Sequence, residues 1–286
     1  MKNARLVYAI LCLTALLFWT ACSNPSEIPA QPEKIEHTQS SEAAAVPYCD
    51  NIFYPLAAKN SWSYRLNFDQ IASDGNPDLV VTVSESSPDS ALISTSDYTI
   101  SQVTQSTATC RQGAVVDFPV TELNLVLGMF SGDLDMKYES GIFMPSLQEF
   151  EANDWALEWE TVYRANGNLQ GSYEGDTITA ELIDSPVKMR WKIIGTDETL
   201  EVPAGKFENL VKVDRVISFD VSRLQTTIEG SEVNISTTLI VDTVLWYAPH
   251  VGLVNEDIES ASVKFYGIGI PVEIDGSLEL LEYSVR

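Results

Sequence analysis

The sequence predicts an all-β protein built on one large, curved antiparallel sheet or a partly open β-barrel, with few short helices. From residue 48 onward, segments rich in β-branched and aromatic residues recur, and Asp-Gly or Asn-Gly turns separate them. No helix-length segments alternate with these strands, which argues against a parallel βαβ sheet. Because residues 48–286 exceed what a simple sandwich needs, we expect a strongly curved sheet of the half-barrel type.

The clearest strand is predicted at residues 210–221, where apolar side chains alternate with charged or hydroxyl side chains. Arg215 interrupts the apolar face, either at a strand end or toward a polar pocket. A turn is expected at Asn166-Gly167-Asn168, among others. The other predicted strands are 78–84, 91–100, 155–164, 177–183, 187–195, 233–247, 260–266 and 278–285, and short helices are expected at 120–130 and 146–152.

The first residues have the pattern of an export signal. Lys2 and Arg5 precede an apolar run at residues 6–19, which is short for a membrane span. The following Ala21-Cys22 resembles the lipobox of bacterial lipoproteins. This resemblance implies that residues 1–21 are removed as a lipoprotein signal peptide and that Cys22 receives acyl chains such as palmitate. The alternative is ordinary cleavage near Ala21, with Cys22 incidental.

Residues 22–47 then form the lipidated N-terminus and a disordered tether, because they are rich in Ser, Pro, Glu and Gln and lack aromatic residues. Residues 48–286 form one β-rich domain in the cell envelope, facing the periplasm or the exterior. The formal net charge of −24 argues against nucleic acid as a partner, since phosphates need Lys and Arg for neutralisation. The membrane is the expected partner, reached through the lipidated end.

Two of the four cysteines belong to the domain. Cys49 and Cys110 form an even pair in an exported chain, which favours a disulfide, with two buried thiols as the alternative. Their spacing has no CxxC pattern, so they are not expected to bind a metal.

Several sequence blocks resemble a family of exported bacterial domains of unknown function, some of them labelled TapB-like. The blocks are FYPL at 53–56, KNSWSY at 59–64, VPAGKFEN at 202–209, WYAPHVGLV at 246–254 and LELLEYSV at 278–285. The resemblance implies a β-rich fold akin to the half-barrels of periplasmic lipoprotein carriers. It implies no enzymatic activity and supplies no catalytic residues.

No catalytic or cofactor-binding motif is found in the sequence. Nucleophile elbows, zinc-protease helices, phosphate loops and dinucleotide fingerprints are all missing. His250 lies in an expected turn without an orienting carboxylate nearby in sequence. Close acidic pairs such as Glu158 and Glu160 raise the alternative of a glycosidase, but 41 acidic residues produce such pairs by chance. We therefore expect no enzyme activity, no cofactor and no bound metal.

Aromatic and Met side chains provide the functional hypothesis. Linings of aromatic and Met side chains suit a cavity for a hydrophobic molecule or lipid. Residues 123–144 are the least strand-like stretch of the domain, and we expect them to form a lid over this cavity. The alternative is that these side chains only fill the core and that the protein is a structural module that binds another envelope protein. The cavity candidates are Trp155, Trp159, Trp191, Met129, Phe130, Phe143 and Met144.

Overall fold

Antiparallel strands make up most of this computed structural model, which describes residues 48–68, 76–99, 101–118, 130–173, 176–228, 231–265, 268–272 and 276–286. These residues all belong to a unit that spans Ala45–Arg286. The expected signal peptide, Cys22, the tether and Met129 lie outside the described residues. Within the described part of the chain, no helix is long and apolar enough to span a bilayer.

Fifteen strands and one helix are described. The strands are β1 Cys49–Asp50, β2 Pro55–Leu56, β3 Ser61–Phe68, β4 Leu79–Ser87, β5 Ser90–Asp97, β6 Gln102–Arg111, β7 Ala114–Asp117, β8 Phe130–Gly141, β9 Glu158–Tyr173, β10 Asp176–Val202, β11 Gly205–Ile228, β12 Ser231–Ala248, β13 Gly252–Phe265, β14 Ile268–Val272 and β15 Gly276–Ser284. The helix α1 is Leu147–Ala152.

Thirteen of the strands form one sheet in the order β7-β6-β5-β4-β3-β15-β13-β12-β11-β10-β9-β8, and β14 pairs with the distal part of β13. Every pairing is antiparallel. The sheet curls until its two edge strands, β7 and β8, approach each other, which leaves a gap that we call the seam. The predicted fold class is therefore confirmed: the protein is nearly all-β, with a barrel-like sheet whose seam is not sealed.

The long strands explain where the sequence analysis placed boundaries wrongly. The stretches 177–183 and 187–195 are one strand, β10, which continues through a bulge between Leu182 and Ser185. The turn expected around Gly167 is also wrong, because Gly167 pairs with Leu134 on one side and Leu182 on the other. A glycine inside a strand is tolerated where both neighbouring strands supply hydrogen bonds.

The predicted helix at 146–152 is confirmed, with Ser146 as its N-cap. The Ser146 side chain accepts from the Glu149 backbone, and the Glu149 carboxylate accepts from the Ser146 backbone at 2.8 Å. This capping box was present in the sequence as S-x-x-E. The strand expected at 155–164 starts later, at Glu158, because Trp155 lies in a turn with a φ of 58°.

The described part of the stretch expected as a lid, residues 130–144, is mostly part of the wall. Phe130–Gly141 is strand β8, which pairs with β9 along its length. The residues that follow β8 meet β7: Val115 and Met144 exchange two backbone hydrogen bonds of 2.9 Å, and Phe143 N donates to Val116 O at 3.2 Å. In the described residues, these three bonds are the backbone closure of the seam, and they lie at one end of it. We call this end the base.

A segment that we call the base strap (residues 48–60) covers the base. Cys49 and Cys110 are joined by a disulfide, with Cα atoms 5.9 Å apart, which ties β1 to β6. The buried Asn51 side chain donates to Gly113 O at 2.7 Å and to Pro145 O at 2.8 Å. It therefore binds chain segments on both sides of the seam.

Candidate functional site

The described cavity candidates come together near the base. The rings of Trp159 and Trp191 stack at 5.8 Å with an interplanar angle of 7°, and Phe143 meets Trp191 edge-on at 5.4 Å. Trp155 joins this aromatic cluster through Phe150, on which it stacks at 5.4 Å. The register explains the Trp pair, because Trp159 on β9 is the direct partner of Trp191 on β10.

These side chains are buried in the core or packed against it, and Trp159 and Trp191 also border the depression on the outer face that is described below. Trp191 is 2 % exposed, and Phe143 and Met144 are each 1 % exposed. The Trp159 indole donates its N–H to Phe143 O at 3.0 Å, which fixes the ring against the segment after β8. The Phe130 side chain and Met129 lie outside the described residues. The structure thus places five of the candidates in or against the core, and their role as a ligand cavity stays a prediction.

An apolar cavity lies beside this cluster, between the base strap and strands β3 and β4. Its volume is about 40 Å³. We call it the base slot. Its lining residues are Phe53, Tyr54, Leu56, Trp62, Tyr64, Leu79, Val81, Phe118, Gly252, Leu253 and Leu278. None of these lining residues carries a charge.

Hydrogen bonds on its aromatic rim hold the base slot in shape. Trp62 Nε1 donates to Val251 O at 2.6 Å, and the Tyr64 hydroxyl donates to Leu253 O at 3.1 Å. The hydroxyls of Tyr54 and Tyr247 lie 3.3 Å apart. Because the polar tips are directed to these partners, the slot is bordered by ring faces and aliphatic groups, which suit a hydrocarbon.

The base slot was not predicted from the sequence. Trp62 and Tyr64 lie on one face of β3 and are both buried in the core. The missing information was the position of Phe53 and Phe118, which reach the slot from the base strap and from the chain after β7. Neither segment has a strand-length periodicity that would predict its direction.

The interior also contains a buried ion pair. Arg215 on β11 is 0 % exposed, and its guanidinium is bonded to the Glu256 carboxylate on β13, which is 1 % exposed. Arg215 Nε also donates to Thr243 Oγ1 on β12 at 3.1 Å. Arg215 therefore lies inside a strand and contacts a polar group in the interior, the second of the two positions that the sequence left open.

A polar contact crosses the seam above its backbone closure. The buried Tyr163 hydroxyl, on β9, donates to Phe118 O at 3.2 Å and lies 3.4 Å from Phe118 N. Burial is the main cause that raises the pKa of Tyr163, so the phenol stays protonated. Burial also raises the pKa of the neighbouring Asp117 carboxyl, while a hydrogen bond with Tyr163 opposes the shift. The two sides of the seam thus meet through side chains as well as backbone.

The outer face of the sheet has a wide charged depression of about 530 Å³. Glu158 and Glu160 of β9 lie there beside Arg190 and Lys192 of β10 and Asp214 of β11. Lys192 Nζ lies 2.8 Å from Glu158 Oε1, and this hydrogen bond lowers the pKa of the carboxyl. The acid of a glycosidase requires a carboxyl with a raised pKa. The pKa of Glu158 is shifted in the opposite direction.

Metal-binding geometry is missing from the described part of the chain, in which no three His, Cys, Asp or Glu side chains form a group that could hold an ion. The turn residue His250 has a φ of 62° and is exposed, and its backbone N–H donates to Ile52 O at 2.7 Å. Its contribution in the structure is therefore to hold the base strap through its backbone.

No protein-family model matches the sequence, and no curated protein sequence matches it. Among solved structures, the chain is similar to a protein from Parabacteroides distasonis described as "a putative lipoprotein", with 15 % identity and a TM-score of 0.44 over 83 % of this chain and 99 % of that one. At these values the likeness carries no argument about this chain. The resemblance to the TapB-like family stays a prediction.

Proposed function

We propose that this protein is a lipid-anchored protein of the bacterial cell envelope that binds a hydrophobic molecule in its barrel-like sheet. Cys22 is its anchor, and the base slot is the binding site, in place of the Trp cluster that the sequence favoured. The observation that carries the proposal is the apolar lining of the slot, in which no residue is charged. The slot volume of about 40 Å³ is too small for an acyl chain, so binding requires the slot to widen.

The chemistry of the lining defines the ligand class. Ring faces of Phe53 and Trp62 and aliphatic groups of Leu79 and Leu278 offer dispersion contacts and a dry environment. Since the aromatic hydroxyls on the rim already have partners, no polar group is left to recognise a charged headgroup. We infer that an uncharged hydrocarbon portion, such as one acyl chain, enters the slot. We infer no catalytic role, and no described residue is assigned to a reaction.

A matched pair of variants tests this site. Val81 lines the slot, whereas Val80 on the same strand has its side chain on the opposite face of the sheet. Val81→Phe fills the slot, and Val80→Phe is the control. The measurements are native mass spectrometry with lipid extraction, and titration with the apolar fluorophore diphenylhexatriene, on residues 22–286 with Cys22→Ser, so that no covalent acyl chain competes.

The expected result is a lipid-sized mass or saturable fluorophore binding in the parent protein. Val81→Phe should weaken fluorophore binding at least about tenfold, because a filled cavity leaves no contacts for the ligand, and Val80→Phe should leave it unchanged. Equal binding by both folded variants would place the ligand elsewhere. A parent protein that stays free of ligand after incubation with envelope lipids and fluorophore would refute the carrier proposal.

A second candidate function is a module that binds another envelope protein. The observation that favours it is strand β14, which among the described strands pairs with β13 alone and exposes 70 % of Ile268. A strand with one open edge can accept a strand from a partner on that edge. If this candidate is correct, a photo-crosslinker at position 268 should give a specific protein adduct in cells, and one at the control position 183 should not. In a separate experiment, Ile268→Lys should abolish the interaction with that partner.

A further inference from the structure

We propose that Phe118 and Tyr163 form the gate through which a hydrophobic ligand reaches the base slot, an inference that rests on the proposed function of that slot. We call this pair the seam gate. Phe118 is the residue that joins the two features, because it lines the slot and also lies at the seam directly after β7.

The first argument is the position of the Phe118 ring. It stacks on Phe143 at a centroid distance of 4.9 Å and an interplanar angle of 17°, and its centroid lies 4.9 Å from that of Tyr54. Phe143 belongs to the segment on the opposite side of the seam. The ring is therefore the side-chain closure between the two edges of the sheet, and its displacement would open the slot toward the seam.

The second argument is what holds Phe118 in place. The Tyr163 hydroxyl bonds the backbone of Phe118, with Phe118 O 3.2 Å away and Phe118 N 3.4 Å away. Tyr163 lies on β9, the strand next to the edge strand β8, so this contact spans the seam. Tyr163 is 2 % exposed and Phe118 is 4 % exposed, so water does not readily replace the contact in the closed state.

The third argument is that the other walls of the slot are held more firmly. Trp62 and Tyr64 belong to β3, which is hydrogen-bonded to β15 from Ser61 to Phe68 and to β4 from Ser61 to Tyr64. The base strap is fixed by its disulfide and by Asn51. The described seam has three backbone bonds at its base and the Tyr163 contact above them. Among the described residues, opening there breaks fewer backbone hydrogen bonds than separating β3 from β15 or β4.

The test removes the hydroxyl that holds the gate and keeps the ring. Tyr163→Phe is the variant, and Tyr138→Phe is its matched control. Tyr138 lies opposite Tyr163 on β8 and contacts its ring, but its own hydroxyl donates to Gly141 O at 2.8 Å. Two quantities are measured on residues 22–286 carrying Cys22→Ser: amide hydrogen exchange of the 114–118 segment, and the stopped-flow rate of diphenylhexatriene uptake.

Loss of one net hydrogen bond raises an opening equilibrium about fivefold. Tyr163→Phe should therefore exchange the 114–118 amides about fivefold faster and take up the fluorophore about fivefold faster, while Tyr138→Phe matches the parent. The equilibrium dissociation constant should stay nearly constant, because a gate changes uptake and release together. If Tyr163→Phe does not fold, Phe118→Leu replaces it: this change keeps the backbone contact but removes the ring stack, and it should also accelerate uptake.

The possible results separate the two proposals. Unchanged exchange in Tyr163→Phe would show that the hydroxyl does not hold the seam and would overturn the gate. Faster exchange with an unchanged uptake rate would place the access route elsewhere and leave the slot function standing. A parent protein that binds no fluorophore would overturn the proposed function, and the gate with it.

Discussion

Replacing Arg215 by Met should destabilise the protein strongly. The change removes the partner of the Glu256 carboxylate, which is 1 % exposed, and also the bond to Thr243. Breaking a buried ion pair from one side typically costs about 3–5 kcal/mol, because the remaining charge stays desolvated. For a domain of this size each kcal/mol lowers the melting temperature by roughly 2–4 °C, so the expected loss is about 6–20 °C.

The double variant Arg215→Met/Glu256→Leu separates burial of charge from loss of packing. Once both charges are gone, no carboxylate is left unpaired, and stability should return to about the parent value or exceed it. The outer-face pair Lys192–Glu158 is the control, because both side chains are more than half exposed and Lys192→Met should cost less than about 1 kcal/mol.

Urea denaturation followed by tryptophan fluorescence measures these changes, since Trp191 is the direct neighbour of Arg215 on β10. A cost below about 1 kcal/mol for Arg215→Met would refute the reasoning. So would a double variant whose loss equals the sum of the two single losses, because uncoupled residues are additive.

Three further predictions concern the base and the seam. Cys49→Ser/Cys110→Ser should lower the free energy of unfolding by about 4 kcal/mol, since the bridge spans 61 residues; equal urea midpoints for the variant and the oxidised parent would contradict this. Asn51→Ala removes two hydrogen bonds that the side chain donates, to Gly113 O and Pro145 O, and two that it accepts from the amides of Phe53 and Tyr54. The free energy of unfolding should fall by about 2–4 kcal/mol in the same assay. A change within experimental error would show that the Asn51 contacts are dispensable. Asp117 has a raised pKa in the folded state, so the native protein binds the proton of this carboxyl more tightly than the unfolded chain does. The stability of the protein relative to Asp117→Asn should therefore fall as the pH rises from about 3.8 through the raised pKa. Thermal melts across this pH range that show the opposite trend would refute the assignment.

Alternation of residue types was sufficient to predict the fold class. In β11, Val213, Ile217 and Phe219 are buried and their neighbours are more exposed, as the period of two requires. The length of the strands was not predictable in the same way. At Gly167 the residues resemble a turn, and pairing with both neighbouring strands keeps the chain extended. At the bulge before Ser185, Asp184 has a φ of 46° and its amide donates to the Asn166 side chain, so the strand continues around a local turn-like residue.

The candidate site was predicted less well than the fold. The sequence placed Trp159 and Trp191 on predicted strands, but whether inward side chains line a cavity or fill it depends on what the opposite wall contributes. Here the wall is supplied by Phe150 of α1 and Phe143 of the seam, whose positions follow from closure of the sheet. Likewise, the apolar face of β11 showed that Arg215 was unusual, but its partner Glu256 is 41 residues away and is reached only through the register of β12.

The position of β15 in the sheet has a consequence for how the protein reaches its native state. This strand lies between β3 and β13, so it joins the half made of β3–β7 to the half made of β8–β13. Its pairing of Ser277 with Asn67 connects residues more than 200 positions apart, a non-local contact of the kind that slows folding. Until β15 docks, β3 and β13 each present an open edge that can pair with another chain. Cells that produce this protein should therefore accumulate aggregates when synthesis stops before residue 276, and a chaperone that masks strand edges should suppress them.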